Sequence, residues 1–240
     1  MEYFLRTLPD NAPLGLYSFL HIVMLVIAFS GGVVIYKFRN HFKNNARLFT
    51  SVKYIFAFFI ALVIISLYSW YIFGSYMGIK DGLPLYHCRV VMLIVVFYTL
   101  KPNNFLKTII VTWGTFGVII ALLFPVTDPF DFPHLTFFTF FVGHIVLGWY
   151  IFLLLLVEDY KYTFLDFKVA SFAMIGFNLF LIFVNYLLEA NYGYLATPPI
   201  LKSLLANVNN VFYTFIVFIS YLVLTYFSYI FIKIFKKIFS

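Results

Sequence analysis

The chain contains a single cysteine, Cys88, in the string Leu83-Pro84-Leu85-Tyr86-His87-Cys88-Arg89 at the mouth of an apolar run. An imidazole, His144, sits inside a later apolar run. A thiol is a strong nucleophile once ionised, and an imidazole takes up a proton near neutral pH. Together they could carry out acyl transfer, with the acyl group held as a thioester on sulfur. Each also has a plainer use. A buried cysteine serves as a small apolar filler, and a histidine inside a membrane helix can hydrogen-bond a neighbouring helix.

Other polar groups interrupt the apolar runs. Ser18 and His21 fall in the first run; Asn178, Asn185, Glu189 and Asn191 fall in and after the sixth. Asn178 and Asn185 are seven residues apart and share a helix face, where they either lock helix packing or touch substrate. Arg89 could lower the pKa of the neighbouring thiol or help bind and orient a substrate. Its commoner use would be to snorkel toward lipid headgroups. Trp113 and Trp149 read as structural residues.

These groups have to be positioned by membrane-spanning helices. The chain has 240 residues, of which 64% are hydrophobic and only 10% charged, far from the balance of a soluble domain. Seven apolar runs, near 15–36, 54–77, 84–100, 105–125, 135–157, 169–190 and 210–232, suit a hydrocarbon core of ~30 Å. Pro84 would open the third run, since proline suits a first helical turn. Unpaired backbone groups are not tolerated in lipid, so the runs should be helices. The expected fold is an all-α bundle of seven transmembrane helices, a single membrane domain over 1–240.

The charge pattern sets an expected direction. Lys37, Arg39, Lys43, Arg47, Lys53, Lys101, Lys107, Lys161, Lys168, Lys233, Lys236 and Lys237 fall on one side. Arg6, Lys80 and Lys202 fall on the other, with Glu2, Asp10, Asp81, Asp128, Asp131 and Glu189. The positive-inside rule then predicts the N-terminus out and the C-terminus in. The first run lacks a basic leader and a small-residue cleavage site, so it does not read as a removable signal peptide. The net charge of +7 is a membrane-flank signature and implies no nucleic-acid partner. In this topology His21, Cys88, His144 and Asn185 would meet in one cavity of the outer leaflet, where polar groups on membrane helices are functional candidates.

Other chemistries lack their residues. No HxxxH or CxxC spacing suggests a metal, and no cofactor fingerprint occurs. A serine triad needs a carboxylate orienter, and no acid lies deep in a run.

The spaced motifs resemble the YwaF-like bacterial integral membrane proteins, related to the eukaryotic transmembrane protein 164 family. They are Ser18 to His21; Leu83-Pro84-Leu85 leading to Cys88; Trp113-Gly114 with Ala121-Leu122-Leu123 to Pro125; and Phe132-Pro133 and Phe140-Phe141 before His144. Asn178, Asn185, Asn191-Tyr192, Tyr194-Leu195 and Pro198 complete the set. The resemblance implies a bacterial cell-membrane protein and an acyltransferase that moves a fatty acyl group between phospholipids. Cys88 and His144 match the proposed catalytic pair in order and spacing. It implies membrane phospholipids as partners and no cofactor. One departure stands out: where the family has a histidine two residues before the cysteine, this chain has Tyr86, and His87 adjoins Cys88. His21 and Asn185 are expected to orient the imidazole or stabilise the oxyanion. The alternative is a small transporter or lipid-handling protein with a polar outer cavity and no enzymatic activity.

Overall fold

The computed structural model describes residues 3–10, 14–198 and 208–239. Glu2 and Lys202, counted above among the outer charges, lie outside the described residues. The described chain is all helical. Its helices are α1 (Phe19–Asn44), α2 (Ala46–Phe73), α3 (His87–Leu100), α4 (Asn104–Leu123), α5 (Leu135–Phe152), α6 (Phe164–Leu188) and α7 (Asn210–Phe239). A π-helical turn, Leu153–Val157, extends α5, and a short 3₁₀ turn, Tyr192–Tyr194, follows α6.

Six of these helices are long and apolar enough to cross a membrane. The shorter α3 has 14 residues and rises about 21 Å, less than a hydrocarbon core of ~30 Å. It does not begin at Pro84. The Leu85 N–H donates to the Leu83 carbonyl at 2.8 Å in a tight turn around the proline, and the helix opens at His87 with Tyr86 as its N-cap. Elsewhere α1 and α7 run past the predicted ends into the basic flanks, while α2 starts earlier, at Ala46.

The helix starts explain the topology locally. At α2, α4 and α6 a polar side chain caps the first turn: Asn45 accepts from Leu48 N–H, Asn103 from Leu106 N–H, and Thr163 and Asp166 form a reciprocal box. Such caps satisfy amides that the helix itself leaves open. On the same face Glu158, just after the π-helical turn, binds Lys53 at 3.2 Å and also Lys107. Burial alone would raise the Glu158 carboxyl, but the hydrogen bond and charge of Lys107, with Lys53, outweigh it and hold the group below the usual carboxylate range.

Helices α4 and α5 form the centre and are the most buried. α5 packs against α1 and α2, α4 packs against α3, α6 and α7, and α2 also packs on α3. Small residues permit the close approach typical of membrane helices. A Cβ at Gly114 of α4 would lie 2.7 Å from Ile151 Cδ1 of α5. The tryptophans act as struts: Trp113 donates to the Ala170 carbonyl at 3.1 Å and Trp149 to the Ala28 carbonyl at 2.9 Å.

Candidate functional site

The N-terminus of α3 carries three polar residues in succession, and each goes a different way. Successive helical side chains diverge by about 100°. His87 turns into the protein, Cys88 faces α4, and Arg89 reaches toward α2. All three line one cavity of about 620 Å³, bounded by α2, α3, α4, α5, α7 and the connections around Asp81, Asp128 and Tyr194. The cavity walls are mainly apolar, with Val63, Met92, Phe116 and Ile120 among them.

Cys88 is free and half-buried. Its Sγ lies against Gly117 of α4, where an added Cβ would stand 3.0 Å away. Tyr86 offers no side-chain cap. The first regular α3 bond at this end is Val90 N–H to the Tyr86 carbonyl at 3.0 Å. The amides of His87 and Arg89 therefore donate to no acceptor among the described residues. An uncapped helix start favours negative charge, whether on a thiolate or on a nearby oxyanion.

His144 lines the same cavity from α5. One of its ring nitrogens, Nδ1, lies 2.7 Å from the Phe140 carbonyl. A carbonyl only accepts, so Nδ1 carries the hydrogen and donates it. The neutral ring then keeps its lone pair on Nε2, the form a general base requires. No hydrogen bond joins Cys88 to His144.

Arg89 does not snorkel outward. Its guanidinium donates to Tyr68 Oη at 3.1 Å and Tyr71 Oη at 2.9 Å, and it lies over the Tyr86 ring at 5.1 Å. The phenol acceptors on α2 draw the side chain inward.

The other predicted site residues do not line the cavity. His21 is fully buried and spends both ring nitrogens on backbone: Nε2–H donates to the Leu122 carbonyl at 2.7 Å, and Nδ1 accepts from Tyr17 N–H at 2.9 Å. It fastens α1 to the end of α4. Asn185 clamps the backbone of Tyr192, donating to its carbonyl at 2.9 Å and accepting its N–H at 2.7 Å. Tyr192 Oη in turn accepts from Leu83 N–H at 2.9 Å. Asn185 therefore holds the turn that supports the approach to α3. Asn178 accepts from His87 Nε2–H at 2.9 Å.

Several contributors are not expected at the site from the sequence, which marks His87 only for its place beside Cys88. His87 stacks on Tyr221 of α7 with centroids 4.0 Å apart. Its Nδ1 is buried without a partner, as is the Asn178 amide nitrogen. Gly193 has φ +66°, and a Cβ there would meet Leu181 at 2.9 Å and His87 at 3.1 Å. Its place in a tyrosine-rich string was the only sequence cue. Tyr68 and Tyr71 could have been found by the (i, i+3) spacing that places both phenols on one face of α2.

Among the described residues no group of three or more His, Cys, Asp or Glu side chains could hold a metal ion. No curated protein and no solved structure matches the chain. The model of the TMEM164 family matches residues 16–231. With its apolar helices long enough to cross a membrane, this chain is an integral membrane protein that belongs to the TMEM164 family.

Proposed function

We propose that this protein is a membrane-embedded acyltransferase that moves a fatty acyl group between phospholipids. The observation that carries the reading is Cys88 on an uncapped helix start, opening onto the same apolar-walled cavity as a His144 with its Nε2 lone pair free.

The reaction has two halves. Cys88 Sγ attacks the carbonyl carbon of a glycerolipid ester while His144 Nε2 takes the thiol proton. The two side chains are not hydrogen-bonded to each other, so the proton crosses once substrate closes the gap, or through one water. The tetrahedral oxyanion accepts hydrogen bonds from the free amides at the start of α3. The ester C–O bond then breaks, and the leaving glycerol oxygen takes the proton from His144. A lysolipid departs and the acyl group stays on sulfur. In the second half the hydroxyl of an acceptor lysolipid gives its proton to Nε2 and attacks the thioester. Sulfur leaves and recovers the proton. Water in place of the acceptor would make the outcome hydrolysis.

The same proposal takes α3 as a seventh, short span, with the N-terminus outside and the cavity in the outer leaflet. The basic flanks of α1, α2, α4 and α7 support this orientation. Cysteine-accessibility labelling at Asn44 decides it: a membrane-impermeant reagent should fail to label from outside, and external labelling moves the cavity to the inner leaflet.

The catalytic test is incubation of the purified protein with a labelled phospholipid and an activity-based thiol probe. Wild type should become acylated and Cys88→Ala should not. An inactive wild type, with phospholipid acyl composition unchanged in cells carrying Cys88→Ala, would leave a lipid-handling protein without chemistry as the better reading.

A further inference from the structure

We propose that Arg89 is the docking point for the phosphate of the lipid whose ester meets Cys88, an assignment that rests on the acyl-transfer reading above. A guanidinium carries five N–H groups in a planar fork. Arg89 gives one to Tyr68 and one to Tyr71. The rest have no partner among the described residues, and the residue lines the cavity.

Its charge lacks the carboxylate partner that five other cations have. Arg6, Lys53, Lys80, Lys107 and Lys236 each sit on a carboxylate. Arg89 has none within ion-pair distance. The nearest link to one runs through Tyr71, whose hydroxyl donates to Asp128 at 3.4 Å. Burial pushes the Asp128 carboxyl above its usual range against the opposing charge of Arg89, which weakens it as a counterion. A guanidinium in apolar surroundings without an anion is costly, and a phosphate matches its fork with two parallel charge-assisted bonds.

Position selects the kind of anion. Arg89 and Cys88 line one cavity from consecutive positions, so an anion on the guanidinium and an ester at the sulfur fit within a single small molecule. In a glycerophospholipid the phosphate and an acyl ester sit on neighbouring glycerol carbons. A free fatty acid would instead place its own carboxyl carbon on Arg89, away from the sulfur. Asp81 faces the same cavity, and a carboxylate there favours a phosphodiester with one charge over a more highly charged phosphomonoester. Arg89 is thus a positioning residue that sets the register of the ester against the thiol.

The test uses Cys88→Ala protein, which binds without reacting. It is equilibrated in detergent with phosphatidylglycerol and diacylglycerol of identical acyl chains, and the retained lipid is measured by mass spectrometry. Phosphatidylglycerol should be retained over diacylglycerol. Adding Arg89→Gln should cut phosphatidylglycerol retention by about 10- to 100-fold, the range for one charged hydrogen-bonding partner. Diacylglycerol retention should not change, and Arg89→Lys should fall between, since it keeps the charge but not the fork. Equal retention of both lipids by the Cys88→Ala protein overturns the proposal, and this comparison needs no variant of Arg89 to fold. Equal loss of both lipids in a folded Arg89→Gln protein also overturns it. So does displacement of phosphatidylglycerol by excess inorganic phosphate, which assigns Arg89 to a free anion. Phosphate-selective retention without any thioester in wild type upholds the docking site and removes the acyl-transfer reading.

Discussion

The sulfur of Cys88 rests on Gly117, with room for nothing larger: a Cβ at 117 would stand 3.0 Å from Sγ. The absent side chain on α4 gives the thiol its place in the cavity. Gly117→Ala should push the sulfur by a few tenths of an ångström. Labelling by a thiol probe should slow, and acyl transfer should fall by up to about tenfold, less than the ~100-fold cost of a full 1 Å misplacement. Melting of the detergent-solubilised protein should barely change. Unaltered probe labelling would show that the contact does not set the thiol's position.

Cys88→Ser should retain at most a trace of acylated protein, because a serine hydroxyl at this site is a far weaker nucleophile than a thiol near neutral pH. Cys88→Ala should retain none. Intact-mass measurement after incubation with phospholipid distinguishes the two. Full acylation of Cys88→Ala would move the nucleophile to another residue.

His144 and His21 should separate chemistry from folding. His144→Ala should slow transfer by ~10²–10⁴, the usual effect of losing a general base. His21→Ala removes two hydrogen bonds, one of them buried, that join α1, its entry turn and α4. Each backbone group left unsatisfied costs about 1–3 kcal/mol, so this variant should melt earlier while its folded fraction still forms thioester. Parallel melting curves and single-turnover acylation decide it. Loss of acylation in folded His21→Ala protein would bring His21 into the site.

The Glu158 carboxylate between Lys53 and Lys107 should give the fold an acid-sensitive component. Its pKa is lowered in the folded protein. Its stabilising contribution is therefore complete above the unfolded value and fades as pH falls through the lowered folded value. Glu158→Gln should flatten the fall in melting temperature below about pH 4.5, where an unperturbed glutamate is about half protonated. The same acid slope in wild type and variant would place the sensitivity elsewhere.

His87→Ala should destabilise rather than inactivate. It empties the stack on Tyr221 and leaves the Asn178 carboxamide, already short of one partner, wholly unpaired. Loss of a buried ring and its hydrogen bond costs about 3–5 kcal/mol. A melting temperature equal to that of wild type would show that the stack carries little energy.

Composition and periodicity alone determine that this chain makes apolar helices. Long runs without charge can satisfy their amides in lipid only by coiling, and the polar stops at Asn45, Asn103 and Thr163 mark where helices begin again. Residue chemistry also singles out Cys88 and His144 as candidates, because a thiol and an imidazole are rare in hydrocarbon. Sequence distance along a helix measures depth, however, and not direction. His21 and Asn185 lie at suitable depths, yet each finds backbone partners of its own, His21 at Leu122 and Tyr17, Asn185 at Tyr192. Only packing decides which polar groups are consumed in this way and which remain open. It turned Arg89 inward, since two phenols one turn apart on α2 offer acceptors that its position on α3 alone does not reveal. It also set the thiol beside the one α4 glycine that leaves it space. Pairings of this kind join residues far apart in the chain, so they exist only once the helices have met.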